Sequence, residues 1–340
     1  MSPDPSGGVV LLRLRSWHDR YLTIYLTTQQ LIGESMTVDV LYIAGAGRSG
    51  STFLSLLLSQ HAQTHNIGQM RDLADAYAKS SPCSCGRSVL DCAFWGAVVD
   101  DLIATHDSDV LEALSIGMAE FAKAAAHDTN WGDARVRARL SREHDIFLGL
   151  FGDLYEAAAQ QAGGRMLIDS SKSVDLALAL HLAPTVNLRI LNLVRDPRAV
   201  AVSWSKVLKR HMVLRRRTRN WAGRQRRVAI LQGLAPERFM RMRYEDFTAS
   251  AKTWVADIQK WAGLKEEVSF FTGPNDADTS WDRAHLFPPA NVTVLKQRRE
   301  QIHIAPATSW QKAEYSELRE MAVEETFPFA KSLGYDIGRF

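Results

Sequence analysis

The chain has 340 residues, of which 46% are hydrophobic and 23% are charged, with 41 Lys and Arg against 38 Asp and Glu. These values are typical of a globular protein and exclude wholesale disorder, a collagen-like fibre and a disulfide-dense miniprotein. The length suits one large α/β domain or two ordinary ones, each able to bury a core. The formal net charge of +3 is too small to predict a polyanionic partner.

The chain contains three cysteines and no run of about 18 uncharged apolar residues. A small, odd number of cysteines does not make a disulfide framework, which favours a reducing compartment. We therefore expect a soluble, cytoplasmic protein without a transmembrane segment.

The first 36 residues differ in character from the rest. Pro3, Pro5 and Gly7 favour a loosely structured beginning. Met36 stands just before the first strong strand pattern. We interpret residues 1–36 as an N-terminal extension that is either disordered or precedes a native start at Met36.

Short apolar runs alternate with helical patterns along the remaining chain. A buried strand is predicted at residues 38–44, and a helix begins at Ser51 after a glycine-rich turn. Residues 70–165 are mostly helical by pattern, apart from a cysteine-containing loop at 80–96. Later strands are predicted at 165–169, 188–194 and 239–243, with helices at 174–182, after Asp196-Pro197 and at 248–261.

This alternation predicts an α/β fold, with a central parallel β-sheet flanked by helices on both faces. We assign residues 37–340 to a single domain. Two helical insertions, at about 70–160 and 205–235, are expected to form the variable part of a binding site.

The glycine-rich loop at residues 45–52 has the phosphate-loop spacing G-x-x-x-x-G, but Ser51 stands where a nucleoside triphosphatase has Lys. Converging loop amides and a helix N-terminus still attract an anion. Arg48 supplies a cation earlier in the loop. The loop therefore suits a 5′-phosphate-like anion rather than ordinary ATP hydrolysis; the alternative is a tight turn without a ligand.

A second motif follows the predicted strand 188–194, where Arg195 and Ser203 are eight residues apart. Arg195 would project from the carboxyl edge of the sheet, and Ser203 lies about two turns into the next helix. Arg can bind a phosphate through two hydrogen bonds. The alternative is a helix cap with a surface arginine.

In this order the two motifs resemble those of sulfotransferases that use 3′-phosphoadenosine 5′-phosphosulfate (PAPS), and the resemblance extends over roughly residues 38–335. It implies the P-loop-like sulfotransferase fold. It also implies a 5′-phosphosulfate site at the loop residues Gly47, Arg48, Ser49, Gly50, Ser51 and Thr52. Arg195 and Ser203 are then the 3′-phosphate site.

Two further segments extend the resemblance. Lys172 closes an Asp-Ser-Ser-Lys segment and would face the sulfuryl group, so Arg48 and Lys172 are the implied catalytic residues. Tyr244, in an Arg-Tyr-Glu-Asp-Phe segment, would lie against the adenine. The alternative for Tyr244 is core packing at the end of a strand.

The sequence departs from the family pattern after the first helix. Gln69 stands where some related enzymes have a catalytic Glu, and it cannot accept a proton at neutral pH. Asp72, His61 and His65 are the nearest candidate bases by sequence.

The C-terminal pattern of the family is also incomplete here. His285, Asn291 and Trp310 occur in suitable order, but the usual basic residue is missing at Val294. A basic contact to the 3′-phosphate could instead come from Lys296, Arg298 or Arg299.

Cys83, Cys85 and Cys92 lie close together in sequence. A structural metal site usually needs four ligands, and the fourth would be Asp91 or a distant histidine. A redox disulfide and simple buried thiols are the other interpretations. We expect no metal requirement for the reaction, because the transferred sulfuryl group carries less charge than a phosphoryl group.

The predicted function is transfer of a sulfuryl group from PAPS to a hydroxyl or amine of a small molecule, glycan or lipid. The alternatives are a P-loop kinase and a non-catalytic nucleotide-binding protein; no nucleic-acid partner is expected. Residues 206–227 carry ten cationic and no acidic side chains, which leaves the rest of the chain at −7. This basic run is either a solvated helix face or part of an anion site.

Overall fold

The computed structural model describes residues 37–128, 130–208, 210–290 and 292–337. The predictions for residues 1–36, for Lys209 in the basic run and for Asn291 lie outside the described residues.

Five parallel strands form the central sheet: β1 (Val38–Gly45), β2 (Thr64–Gly68), β3 (Met166–Lys172), β4 (Val186–Val194) and β5 (Phe239–Arg243). Their order is β2-β3-β1-β4-β5, which confirms the predicted central parallel sheet. β1 lies in the middle because both of its faces are apolar. Val40 and Tyr42 enter one core, whereas Leu41 and Ile43 enter the other.

Helices cover both faces of the sheet. Before β4 they are α1 (Ser51–Leu58), α2 (Leu73–Ala78), α3 (Ala93–Thr105), α4 (Val110–His127), α5 (Ala134–Glu143), α6 (Asp145–Gln161) and α7 (Val174–Leu182). After it they are α8 (Pro197–Ser205), α9 (His211–Leu234), α10 (Tyr244–Ala249), α11 (Ala251–Trp261), α12 (Val292–Gln297), α13 (Ser316–Thr326) and α14 (Phe329–Ser332). The core on one face is built largely from α3, α4, α6 and α7, and the core on the other from α1 and α11.

Most predicted boundaries agree with the structure, and α7 and β5 have the predicted bounds. The cysteine loop is shorter than predicted, because Cys92 occupies the N-cap of α3. The predicted helix at 248–261 is two helices, since Thr248 belongs to α10 and α11 begins at Ala251. β3 continues to Lys172, so the Asp-Ser-Ser-Lys segment is strand.

The strand β2 is missing from the predicted elements. Its sequence, Thr-His-Asn-Ile-Gly, contains one aliphatic side chain, yet all five residues are buried. The Thr64 hydroxyl donates to the Leu58 carbonyl at 2.8 Å, and the Asn66 amide N–H donates to the Arg283 carbonyl at 2.8 Å. Hydrogen bonds to neighbouring segments thus make a polar strand acceptable in the interior.

The C-terminal part adds a two-stranded sheet and further helices. β6 (Asp276–Asp278) and β7 (Gln301–His303) form an antiparallel pair, and α13 packs against α8 and α9. Within the described part of the chain, every helix is too short or too polar to cross a lipid bilayer.

Candidate active site

A cavity of about 480 Å³ lies at the carboxyl edge of the sheet, beside the ends of β1, β3, β4 and β5. Open α/β sheets bind ligands at this edge, and small-molecule sites typically measure roughly 300–1,000 Å³. Its lining includes most of the residues predicted from the sequence: Gly47, Arg48, Gly50, Ser51, Thr52, Lys172, Arg195, Ser203 and Tyr244. The motifs that are far apart in the chain therefore meet in one place.

The glycine-rich loop joins β1 to α1 with positive φ angles, which residues other than glycine rarely adopt. Gly50, the N-cap of α1, has a left-handed φ of 92°. A Cβ atom there would lie 2.6 Å from the ring of Tyr244, so glycine is required both by the backbone and by the contact. Arg48 also has a positive φ, 69°, which is uncommon for a residue with a side chain.

Arg48 and Ser203 contact each other across the cavity. The Arg48 Nε donates to the Ser203 Oγ at 3.0 Å, and the guanidinium lies 5.8 Å from the centre of the Trp204 ring. Burial, with a smaller contribution from Arg195, lowers the pKa of Arg48. The phosphate-loop motif and the β4–α8 motif are thus physically joined.

Arg195 follows β4 and braces the loop. Its Nη1 donates to the Arg48 carbonyl at 2.9 Å, and its guanidinium lies 4.3 Å above the Tyr244 ring. Its Nε is buried and has no hydrogen-bond partner among the described residues. Asp196 caps α8 by accepting from the Arg198 amide, with Pro197 at the first helical turn, as the sequence predicts.

Lys172 ends β3 with a left-handed φ of 64°. Its Nζ donates to the Ser170 carbonyl. Burial lowers the pKa of Lys172 to about 7, and the charge of Arg71 adds to this effect. Burial thus disfavours the charged form of Lys172 in the free protein, and a bound anion would stabilise that form.

Behind Lys172, a buried carboxyl supports the strand end. The Tyr155 hydroxyl donates to Asp169 Oδ2 at 2.5 Å, and the Ser171 amide donates to Asp169 Oδ1 at 2.6 Å. Burial raises the pKa of Asp169 to about 6. These hydrogen bonds hold the end of β3 in place, and with it the position of Lys172 beside the cavity.

Sequence analysis did not assign three further cations of the cavity wall. Arg71 follows β2, and Arg217 and Arg224 lie on α9. Burial, followed by the charge of Arg71, lowers the pKa of Arg224. A signal existed within the basic run: Arg217, Asn220 and Arg224 are spaced i, i+3 and i+7, which is one helix face, and all three line the cavity.

The cavity is strongly cationic. Six of its described lining residues are Arg or Lys, and none is Asp, Glu or His. Two buried donors in its wall, Arg195 Nε and Gln69 Nε2, have no partner among the described residues. Unpaired buried donors are costly, and like charges repel, so the arrangement suits an anionic ligand with several acceptor oxygens.

Some predicted residues lie elsewhere. Ser49 is buried within the loop, and it is not among the described residues that line the cavity. Arg298 and Arg299 line a separate surface depression, where the Arg298 guanidinium is 5.9 Å from the centre of the Trp281 ring. Lys296 likewise lies outside the described lining of the cavity.

The three candidate bases are also away from the described lining. The His61 Nε2 is 2.8 Å from the Lys265 carbonyl oxygen. His65 is buried against the Phe94 ring, at 4.5 Å between centres, and burial lowers its pKa to about 3. Asp72 follows the lining residue Arg71, and its Oδ1 lies 3.4 Å from the Arg71 Nε.

A smaller, mostly apolar pocket of about 70 Å³ shares Arg71 with the cavity. Residues of α4 and α6, among them Leu114, Met118 and Phe151, line it. It lies in the helical region 70–160 that sequence analysis assigned to acceptor binding.

Known proteins are similar to this chain in sequence and in fold. Residues 41–267 match the model of the Sulfotransferase family. No curated protein matches the sequence. The fold is similar to the sulfotransferase domain of the Synechococcus PCC 7002 olefin synthase, with a TM-score of 0.53 and 17% identity, over 90% of this chain and 98% of that one.

Two further solved structures have lower scores. The sulfotransferase domain from the curacin biosynthetic pathway has a TM-score of 0.47 and 16% identity, over 89% of this chain and 100% of that one. Sulfotransferase STF1 from Mycobacterium tuberculosis H37Rv has a TM-score of 0.44 and 13% identity, over 92% of this chain and 80% of that one. On the match of the family model to residues 41–267, the chain belongs to the sulfotransferase family.

Proposed function

We propose that this protein transfers a sulfuryl group from PAPS to a hydroxyl group of a small acceptor. The observation that carries the proposal is the cavity wall, with six Arg and Lys side chains and the unpaired donors Arg195 Nε and Gln69 Nε2. PAPS carries anionic oxygens at both its 5′ and its 3′ position, which fits a wall with several basic side chains. We treat residues 37–340 as one catalytic domain.

The proposed roles follow from the positions of the groups. The loop residues 47–52 would hold the 5′ end through backbone amides and hydroxyls. Arg195 and Ser203 would bind the 3′-phosphate, and Arg48 and Lys172 would stabilise charge that develops on the oxygen between sulfur and the 5′-phosphate. Tyr244 would contact the adenine with the part of its ring that Arg195 leaves uncovered.

In this reaction the bond between sulfur and the leaving phosphate oxygen breaks while the acceptor oxygen bonds to sulfur. The products are a sulfate ester and adenosine 3′,5′-bisphosphate, and the acceptor loses its hydroxyl proton. Because the described lining contains no carboxylate or imidazole, we propose that the proton passes to water. Such a site favours an acidic hydroxyl, such as that of a phenol.

The apolar pocket beside Arg71 supports an acceptor with an apolar ring. Leu114, Met118 and Phe151 would contact the ring. Its position next to Arg71, which also lines the larger cavity, would place the hydroxyl near the transferred group.

The alternative of a P-loop kinase has less support. Ser51 replaces the lysine that contacts the phosphates in P-loop enzymes. Such enzymes also hold Mg²⁺ with an acidic side chain, and the described lining of the cavity offers none.

The direct test is transfer of labelled sulfate from PAPS to phenols of decreasing pKa. We expect turnover that rises as the phenol becomes more acidic, and no phosphate release from Mg-ATP. Arg219→Gln is the control variant: Arg219 lies on the side of α9 away from the cavity, where it pairs with Glu325, so this variant should keep full activity. Mg-dependent ATP turnover, or binding of PAPS without transfer to any phenol, alcohol or amine, would contradict the proposal.

A further inference from the structure

The three cysteines and His285 form a second cluster of reactive groups, outside the proposed active site. One ligand atom from each of Cys83, Cys85, Cys92 and His285 lies within 4.8 Å of every other. The Cys83 and Cys92 sulfurs are 3.7 Å apart, and the His285 Nδ1 lies 3.9 Å from Cys83 Sγ and 3.2 Å from Cys92 Sγ. His285 is separated from the nearest of these cysteines by more than 190 residues of chain.

The three distances among Cys83, Cys92 and His285 are close to the edges of a tetrahedron around one metal ion. Zinc–sulfur bonds of about 2.3 Å and zinc–nitrogen bonds of about 2.0–2.1 Å give ligand separations of about 3.8 Å between sulfurs and 3.6 Å between sulfur and nitrogen. Three thiolates and one imidazole are a common structural zinc set. We propose that Cys83, Cys85, Cys92 and His285 bind a single structural Zn²⁺ ion.

The cysteine loop has the turn that such a site needs. The Gly86 amide donates to the Cys83 carbonyl at 3.0 Å, and the Cys83 amide donates to the Arg87 carbonyl at 2.8 Å. Gly86 has a left-handed φ of 92°, which allows the chain to fold back directly after Cys85. Cys92 then stands at the N-cap of α3, so its position is fixed by a regular element.

The histidine is held in place by neighbouring residues. Its ring stacks on Phe94 at 4.8 Å and on His65 at 5.4 Å between centres. The Trp95 indole N–H donates to the His285 carbonyl at 2.8 Å. Ser84 bonds to the Ala284 carbonyl at 2.6 Å, which ties the two ligand segments together from the other side. These contacts fix the position of the His285 ring and of its backbone beside the cysteines.

A disulfide fits the cluster less well. An S–S bond is about 2.05 Å long, and joining Cys83 to Cys92 would leave Cys85 and His285 unused. Asp91, the other candidate fourth ligand, is exposed and accepts a hydrogen bond from Ser88 at 2.6 Å. The structure therefore favours a distant histidine as the fourth ligand.

The proposed ion would support the active site without taking part in the reaction. Four protein ligands fill a tetrahedral zinc site and leave no position for substrate. The His285 amide donates to the Asn66 carbonyl at 3.0 Å, which joins the site to β2. β2 leads into Gln69 and Arg71 of the cavity wall. On binding, zinc would displace the protons of the three thiols. Its binding free energy would stabilise the folded state relative to the unfolded chain.

The test is metal analysis of the full chain, purified under reducing conditions without chelator. We expect one zinc ion per chain, and we expect Co²⁺ added to the stripped protein to give the visible absorption of tetrahedral cobalt with thiolate charge-transfer bands. Cys92→Ser and His285→Ala should lose the metal. His303→Ala, which changes an exposed histidine, should retain it.

Neither measurement depends on sulfuryl transfer, so the two proposals can fail separately. The Co²⁺ titration of the unaltered chain decides the matter even if a ligand variant does not fold. A chain that contains no metal and binds no Co²⁺ with its thiols reduced would overturn the proposal. So would a mass lower by two hydrogen atoms, which indicates a disulfide between two of the three cysteines, or full metal content in His285→Ala.

Discussion

Two faces of α9 place the same residue type in different surroundings. On the outer face, Arg215 and Arg219 both pair with Glu325 of α13, the latter at 2.6 Å. On the inner face, Arg217 and Arg224 line the cavity, and neither has a carboxylate partner among the described residues. A single basic run therefore divides into arginines that α13 neutralises and arginines that a ligand can neutralise.

This difference explains why net charge alone says little about partners. Arg227 also pairs with a carboxylate, Asp175, at 2.5 Å. An arginine whose charge is already balanced by a carboxylate attracts a further anion only weakly. The unpaired arginines lie beside Arg71 and Lys172, where their charges add. The predictions below compare these two groups, beginning with the largest expected effect.

Arg48→Ala should reduce the rate of sulfuryl transfer about 10²–10³-fold, the usual cost of removing one preorganised donor to a transition state. Binding of adenosine 3′,5′-bisphosphate should weaken only modestly, because the sulfuryl group is absent from this ligand. Alanine has the same backbone restriction as arginine at the positive φ of this position, so strain is unchanged. Steady-state kinetics and calorimetry separate the two effects; a normal rate would remove Arg48 from the catalytic assignment.

Arg195→Ala should act first on binding. A hydrogen bond to a charged group contributes about 1.5–3 kcal/mol, so the Kd for adenosine 3′,5′-bisphosphate should rise about 10- to 100-fold. Arg195→Lys keeps the charge but loses the planar contact with Tyr244, and we expect an intermediate Kd. Unchanged affinity in both variants would show that the 3′-phosphate binds elsewhere.

Arg224→Gln and Arg219→Gln test the two faces of α9 directly. Removing the unpaired cation should weaken nucleotide binding about tenfold, or ~1.4 kcal/mol, and should stabilise the ligand-free protein by reducing repulsion from Arg71. Removing the paired cation should leave affinity within about twofold. Equal effects of the two substitutions, measured by calorimetry and thermal unfolding, would contradict the comparison.

Lys172 should make binding depend on pH. Its pKa is lowered to about 7 in the free protein, and a bound anion raises it, so binding takes up a proton above pH 7. Affinity should therefore fall as pH rises from 7 to 9, a range in which the ligand phosphates stay ionised. Calorimetry in buffers of different ionisation enthalpy measures the proton uptake. Lys172→Gln should remove it, and a persistent slope in that variant would assign the proton to another group.

Much of the site could be predicted from the sequence because its motifs are local. Glycines, a strand before them and a helix after them identify the loop, and Arg195 is fixed by the end of β4. It is harder to infer from the sequence which face of a helix packs against a cavity. Arg217 and Arg219 are two residues apart in a basic run, and only the packing of α9 decides which of them faces the cavity.

The remaining features depend on long-range contacts. β2 is polar and lacks a strand pattern, and its burial depends partly on backbone hydrogen bonds of Asn66 to Arg283 and His285, more than 200 positions away. His285 joins the cysteines for the same reason. Neither the spacing of the cysteines nor the pattern around His285 predicts that contact.

The most direct test of the central claim is a crystal structure with adenosine 3′,5′-bisphosphate. We expect the 5′-phosphate in the loop 47–52 and the 3′-phosphate within hydrogen-bonding distance of Arg195 and Ser203. Arg215 and Arg219 should remain paired with Glu325. A nucleotide bound on the outer face of α9, or at the depression lined by Arg298 and Arg299, would contradict the account.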